Sequence, residues 1–136
     1  MSTLVAANIQ NTGDGAPTFK NTDGTEIGQL AKAWMNFSGS GTVSINSDFN
    51  INTLTDNGTG DYTITFSNDL SNANYSVVTS PAVPSDQGET YGFGVHFTGG
   101  PDSGAPTTKT ASTLRLKHRR ENSVDISNAG VAIFGV

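Results

Sequence analysis

The chain has 136 residues, a net charge of −5, 14 % charged residues and no cysteine. One domain with one core fits that length. The acidic balance excludes general affinity for nucleic acid or anionic membrane, which requires phosphates to be neutralised. The missing thiols exclude disulfides and thiolate metal sites, a pattern that suits a reducing compartment.

The remaining composition points to strands. Gly, Ser, Thr and Asn fill 61 of 136 positions, whereas Leu, Ile, Val and Phe fill 29. Thr favours pleated, half-exposed strands, Gly and Asn supply turns with positive φ, and helices want the opposite composition. The expected fold is all-β: a small antiparallel β-sandwich of about eight short strands. An apolar share this close to the ~20 % level supports a lone monomer thinly, so burial of apolar faces against further copies of the chain is expected.

In chain order, residues 1–30 come first as an extended N-terminal arm, and residues 31–136 follow as the sandwich domain. The arm contains the turn-like clusters "NTGDGAP" and "NTDGTEIG" and few apolar anchors, namely Leu4, Val5, Ile9, Phe19 and Ile27. Its opening "MSTLVAANIQ" has neither a basic start nor a long apolar run, so neither a signal peptide nor a membrane span is expected there. A helical spacing joins Ile27, Leu30, Ala31 and Trp34, but alternation through Ala33, Met35 and Phe37 favours a strand from about Ala31.

Period-2 patterning then repeats. Val43 with Ile45, and Phe49 with Ile51, are expected on one face, with Ser44 and Asn50 on the other. "TDNGTGDYTITF" joins Asn-Gly turn chemistry to alternating Tyr62, Ile64 and Phe66, which predicts a hairpin of 49–55 with 61–67. Further strands are expected at 74–80, 91–97, 112–119, 124–127 and 131–136. Tyr91, Phe93, Val95 and Phe97 give an apolar face on which copies of the chain could pack, with Gly92 and Gly94 behind it. The connecting "PAVPSDQGE" and "TGGPDSGAPTTK" are Pro- and Gly-rich loops.

Between residues 33 and 78 the chain resembles a domain of tail fibres and other virion structural proteins of tailed bacteriophages. The resemblance rests on Ala33 to Phe37, Gly39 to Val43, Ser47 to Asn50, Thr55 to Thr63 and Asn74-Tyr75. The preceding "PTFKNTDGTEIGQLAKA" and the closing "VAIFGV" share its look, whereas residues 80–128 match faintly. It implies a non-enzymatic virion part made in the host cytoplasm: a tail fibre or fibre-tip subunit contributing to host-surface recognition, commonly trimeric. A capsid decoration or cement protein is the alternative, and a polysaccharide-degrading tail protein a weaker one. In either structural role residues 1–30 would meet other virion proteins.

Chemical constellations are sparse. His96 and His118 have no third imidazole or thiol close in sequence, so structural roles outweigh a zinc site. "DNGTGD" lacks the spacing and terminal Glu of a twelve-residue calcium loop, and a turn explains Asp56, Gly58 and Asp61. Asp86 and Glu89 lie in a flexible-looking loop, a poor setting for two carboxyls held across a cleft. No Ser, His and Asp set has an elbow or local spacing. No catalytic residue, metal or cofactor is therefore expected.

Two features remain as candidate binding surfaces. Five of the seven basic residues fall between 109 and 120, and Arg115, Lys117 and Arg119, with Arg120 beside them, form a stripe on a strand opposite Leu114, Leu116 and His118. Such a stripe suits an anionic cell-surface glycan or an acidic neighbour, or it is a solvated face that discourages edge pairing. The loops carrying Asp86, Glu89, Tyr91, Asp102 and Thr107 are the candidates for contact with a host glycan.

Overall fold

The computed structural model describes residues 19–82, 93–95, 109–118 and 125–135, with 81, 82 and 93–95 described by backbone alone. The all-β expectation holds among these residues: they form ten short strands, every pairing is antiparallel, and there is no helix. The chain divides into two compact units, Met1–Leu30 and Ala31–Val136.

In the first unit, β1 (Phe19–Lys20) and β2 (Glu26–Gly28) make a small hairpin. The expected extended arm is therefore folded back on itself here. The reason is local: Asn21 Oδ1 accepts the backbone N–H groups of Asp23 and Thr25 at 3.1 and 2.9 Å, and Gly24 takes a φ of 79°. Asn followed by Gly supplies both parts of such a turn. Leu4, Val5 and Ile9 lie outside the described residues.

The second unit contains two four-stranded sheets. The first runs β4 (Ser44–Phe49), β3 (Ala33–Ser38), β10 (Asn128–Phe134), β7 (Ser76–Ala82), and the second runs β5 (Ile51–Gly58), β6 (Asp61–Phe66), β9 (Thr113–His118), β8 (Phe93–Val95). Alternate residues of both sheets enter one core. Ala33, Met35, Phe37, Ala129, Val131 and Ile133 come from the first sheet, and Ile51, Tyr62, Ile64, Phe66, Leu114 and Leu116 from the second. Phe37 and Tyr62 meet edge to face across the sheets, their ring centroids 5.2 Å apart.

Asn50 explains how the chain passes between sheets, and it corrects the expectation that Phe49 and Ile51 share a buried face. Phe49 is 54 % exposed and Ile51 9 %. Between them Asn50 takes a φ of 59°, a left-handed conformation that Asn tolerates and branched residues avoid. Its amide donates to the carbonyls of Lys32 and Asn68, and its Oδ1 accepts the N–H of Asn68 at 2.8 Å. The corner is thus clamped on both sides. The face reverses because β4 ends in one sheet and β5 begins in the other.

The β5–β6 hairpin expected from "TDNGTGDYTITF" is present, with a shorter turn. Asp56 pairs with Tyr62 inside the ladder, leaving Thr59 and Gly60 as the loop and Gly58 and Gly60 at φ 121° and 68°. The strand expected at 124–127 is corrected. Residues 125–127 are irregular, because Asp125 and Ile126 use their polar groups on Gly60, Gly39 and Tyr62 rather than on a ladder. Val124 is outside the described residues.

Candidate functional site

Residues 33–37, 39–43 and 55–63 meet one another in the fold through Phe37, Gly39 and Tyr62. Gly39 opens the second of them, and the Tyr62 ring lies directly against it: a Cβ built on Gly39 would fall 2.6 Å from the Tyr62 Cζ. A side chain there would have to displace the ring. The Tyr62 hydroxyl donates to the Gly39 carbonyl at 3.0 Å and accepts the Ile126 N–H at 3.2 Å, while Gly39 N–H donates to the Ile126 carbonyl at 2.8 Å. Burial, with the Asp125 carboxylate nearby, pushes the Tyr62 pKa up to about 12. The group is a structural lock, since its hydroxyl is fully engaged inside the core.

Tyr75 closes the other end of the core in a similar way. It stacks edge to face on Phe66, with centroids 5.9 Å apart, and its hydroxyl donates to the Thr113 carbonyl at 3.0 Å. Lys109 donates to the Tyr75 carbonyl at 2.6 Å and sits 4.6 Å from the ring centroid. Burial pushes the Tyr75 pKa up to about 12 as well.

On the outer face of the second sheet the basic stripe meets an acid. Register places Asp61 opposite Lys117 and Thr63 opposite Arg115. Arg115 forks onto Asp61, Nε to Oδ1 at 2.8 Å and Nη2 to Oδ2 at 2.6 Å, and Lys117 Nζ lies 3.8 Å from Oδ2. Asn57 completes the set by donating to Asp61 Oδ1 and to Thr63 Oγ1. Burial alone would raise the Asp61 pKa. The hydrogen bonds from Arg115 and Asn57 and the charges of Arg115 and Lys117 outweigh it and hold the carboxyl below its usual value. Much of the positive charge at Arg115 and Lys117 is therefore answered within the chain.

The outer face of the first sheet differs in kind. Phe49, Trp34, Ala132 and Val78 are successive cross-strand partners, so they form one row across all four strands. Three of these side chains stand in solvent: Phe49 at 54 %, Trp34 at 39 % and Val78 at 58 % exposure. Phe134, also exposed, lies two positions beyond Ala132 on β10. The adjoining row, Ser47, Asn36, Gly130 and Ser80, is polar without charge. Asn36 is already engaged there, donating to Asn128 and accepting from Asn46.

The residues expected to bind fall unevenly on this frame. Arg115 and Lys117 share the outer face of β9, opposite buried Leu114, Leu116 and His118. Phe19 is exposed on β1. Asp86, Glu89, Tyr91, His96, Asp102, Thr107, Arg119 and Arg120 lie outside the described residues. Among the described residues no group of His, Asp and Glu is placed to hold a metal ion, and no helix is long and apolar enough to cross a membrane. Sequence reasoning missed both the Phe49–Val78 row and the partner of Arg115. The available signal was weak: Trp34 interrupts a buried alternation with an apolar residue on the opposite face.

Comparison with protein-family models, with curated proteins and with solved structures finds no match.

Proposed function

We propose that this chain is a non-enzymatic structural subunit of a bacteriophage virion, a tail fibre or fibre-tip part. In this reading residues 31–136 form a β-sandwich that assembles as a trimer, and residues 1–30 attach it to other virion proteins. The observation that carries the proposal is what the resemblance residues do. Ala33, Met35 and Phe37 fill the core, Gly39 receives Tyr62, Asn50 clamps the corner, Gly58 and Gly60 make the turn, and Asp61 holds Arg115. Each serves the framework, as the shared residues of a scaffold do, so the ligand-facing residues belong elsewhere, to the loops expected to touch a host glycan.

Exposed Phe19 and Ile27 on the hairpin, at 44 and 67 %, support the attachment role of the first unit, since an isolated two-stranded hairpin gains stability from packing against something else. Location on the particle is the test. Gold-labelled antibody against the chain should mark the tail of intact phage in electron micrographs. Label confined to the head would replace the fibre with a decoration or cement protein, and absence from the particle would overturn a virion role. Reducing sugar released from host envelope by the purified protein would make it a hydrolase.

A further inference from the structure

We infer that the outer face of the first sheet is a self-association surface, where Phe49, Trp34 and Val78 pack against a second copy of this chain. This deepens the assembly part of the function proposed above and rests on it. The self-packing face expected at Tyr91–Phe97 lies outside the described side chains, whereas this one is visible residue by residue.

Three observations select a second copy as the occupant. The first is charge: neither the Phe49–Trp34–Ala132–Val78 row nor the Ser47–Asn36–Gly130–Ser80 row contains a charged residue. In a chain of net charge −5, such a face lets two copies approach without placing like charges opposite each other. The second is area. Phe49, Trp34, Val78 and Phe134, at 54, 39, 58 and 37 % exposure, leave roughly 400 Å² of apolar surface in water, about half of what one partner contributes to a standard interface. The neighbouring polar row enlarges the patch toward that size. The third concerns polar partners. A sugar stacked on Trp34 would need converging donors and acceptors beside the ring, but the neighbouring Asn36 amide is already held by Asn128 and Asn46.

Trp34 is the single tryptophan of the chain, so its fluorescence reports this face alone. The test uses the full chain and two variants that keep the reporter, Phe49→Ser and Val78→Ser, measured by sedimentation equilibrium and by acrylamide quenching of Trp34 over a dilution series. The expected result is association of the native chain with quenching that falls as concentration rises, and at least tenfold weaker association in each variant with unchanged circular dichroism. Oligomers in which Trp34 stays open to acrylamide, or in which both variants associate as tightly as the native chain, overturn this face while leaving an assembled subunit standing. A monomer at every concentration overturns both the face and the trimer. A monomer with Trp34 shielded at all dilutions also overturns the inference, because another segment of the chain then covers the row.

Discussion

The two outer faces of residues 31–136 are built from the same kind of strand and finish differently. On the second sheet Asp61, Arg115, Lys117, Asn57 and Thr63 answer one another's charges and donors. On the first, the polar row around Asn36 is closed in the same manner, but the row beside it leaves two aromatic rings and a valine in water. A polar face can be completed within one chain by register, because a neighbouring strand can supply the opposite group. An apolar row on a flat outer face has no such recourse and can be completed only by something laid over it.

Both faces rest on the same buried tyrosines, so the most severe way to break the comparison is to charge them. Tyr62 and Tyr75 have folded pKa values near 12, above the usual 10. A raised value means that their contribution is complete below about pH 10 and is lost as pH rises through 12. At about 1.4 kcal/mol per unit, the pair removes on the order of 5 kcal/mol, comparable with a small domain's whole stability. Circular dichroism should show cooperative unfolding between pH 10 and 12, with both tyrosines ionising in the same step at 295 nm. Ionisation near pH 10 with the fold intact would show that they are not locked.

Gly39→Ala comes next. The methyl meets the Tyr62 ring, and overpacking of this kind costs about 1–3 kcal/mol. Urea titration should give a lower midpoint at unchanged slope, and the penalty should shrink when Tyr62→Leu is added, as coupled neighbours require. Additive penalties would mean that the ring can move aside.

Arg115→Ala sharpens the comparison on the second face alone. It leaves the Asp61 carboxylate, 6 % exposed, with Asn57 and the more distant Lys117. The expected cost is about 1–3 kcal/mol at neutral pH, less than for a fully buried pair because Arg115 is partly solvated. Asp61 has a lowered pKa, so its contribution is present above the ordinary carboxylate range and is lost as pH falls through the folded value. The difference between native and Arg115→Ala protein should therefore be widest near neutrality and narrow toward pH 2. An equal gap at all pH values would assign the loss to packing of the arginine stem.

Phe49→Ser should have the smallest effect on the fold. At a dilution where the chain is monomeric the change should stay within about 0.5 kcal/mol, as for other exposed positions. A larger loss would mean that Phe49 supports the monomer.

Much of the frame was legible in the sequence because it is local. Alternation in "DYTITF" gives β6, and the two glycines of "NGTG" give the turn. Alternating Leu114, Leu116 and His118 gives the buried side of β9. In the sequence Asn50 looks like one more strand position, since Asn in an alternating run gives no sign of a positive φ; only the clamp onto Lys32 and Asn68 makes the corner necessary. The partner of Arg115 was hidden for another reason. Asp61 lies 54 positions away, and the register between β6 and β9 is set by the whole core. The Phe49–Val78 row needed four strands in register before its members became neighbours.

Hydroxyl-radical footprinting of the native chain at high and low concentration, read by mass spectrometry, compares the two faces directly. On concentrating the protein, oxidation should fall at Trp34, Phe49 and Phe134 and stay constant at Arg115 and Lys117. Protection that gathers on the Arg115 side, with Trp34 and Phe49 oxidised equally at both concentrations, would contradict the assignment of one finished face and one that awaits a copy.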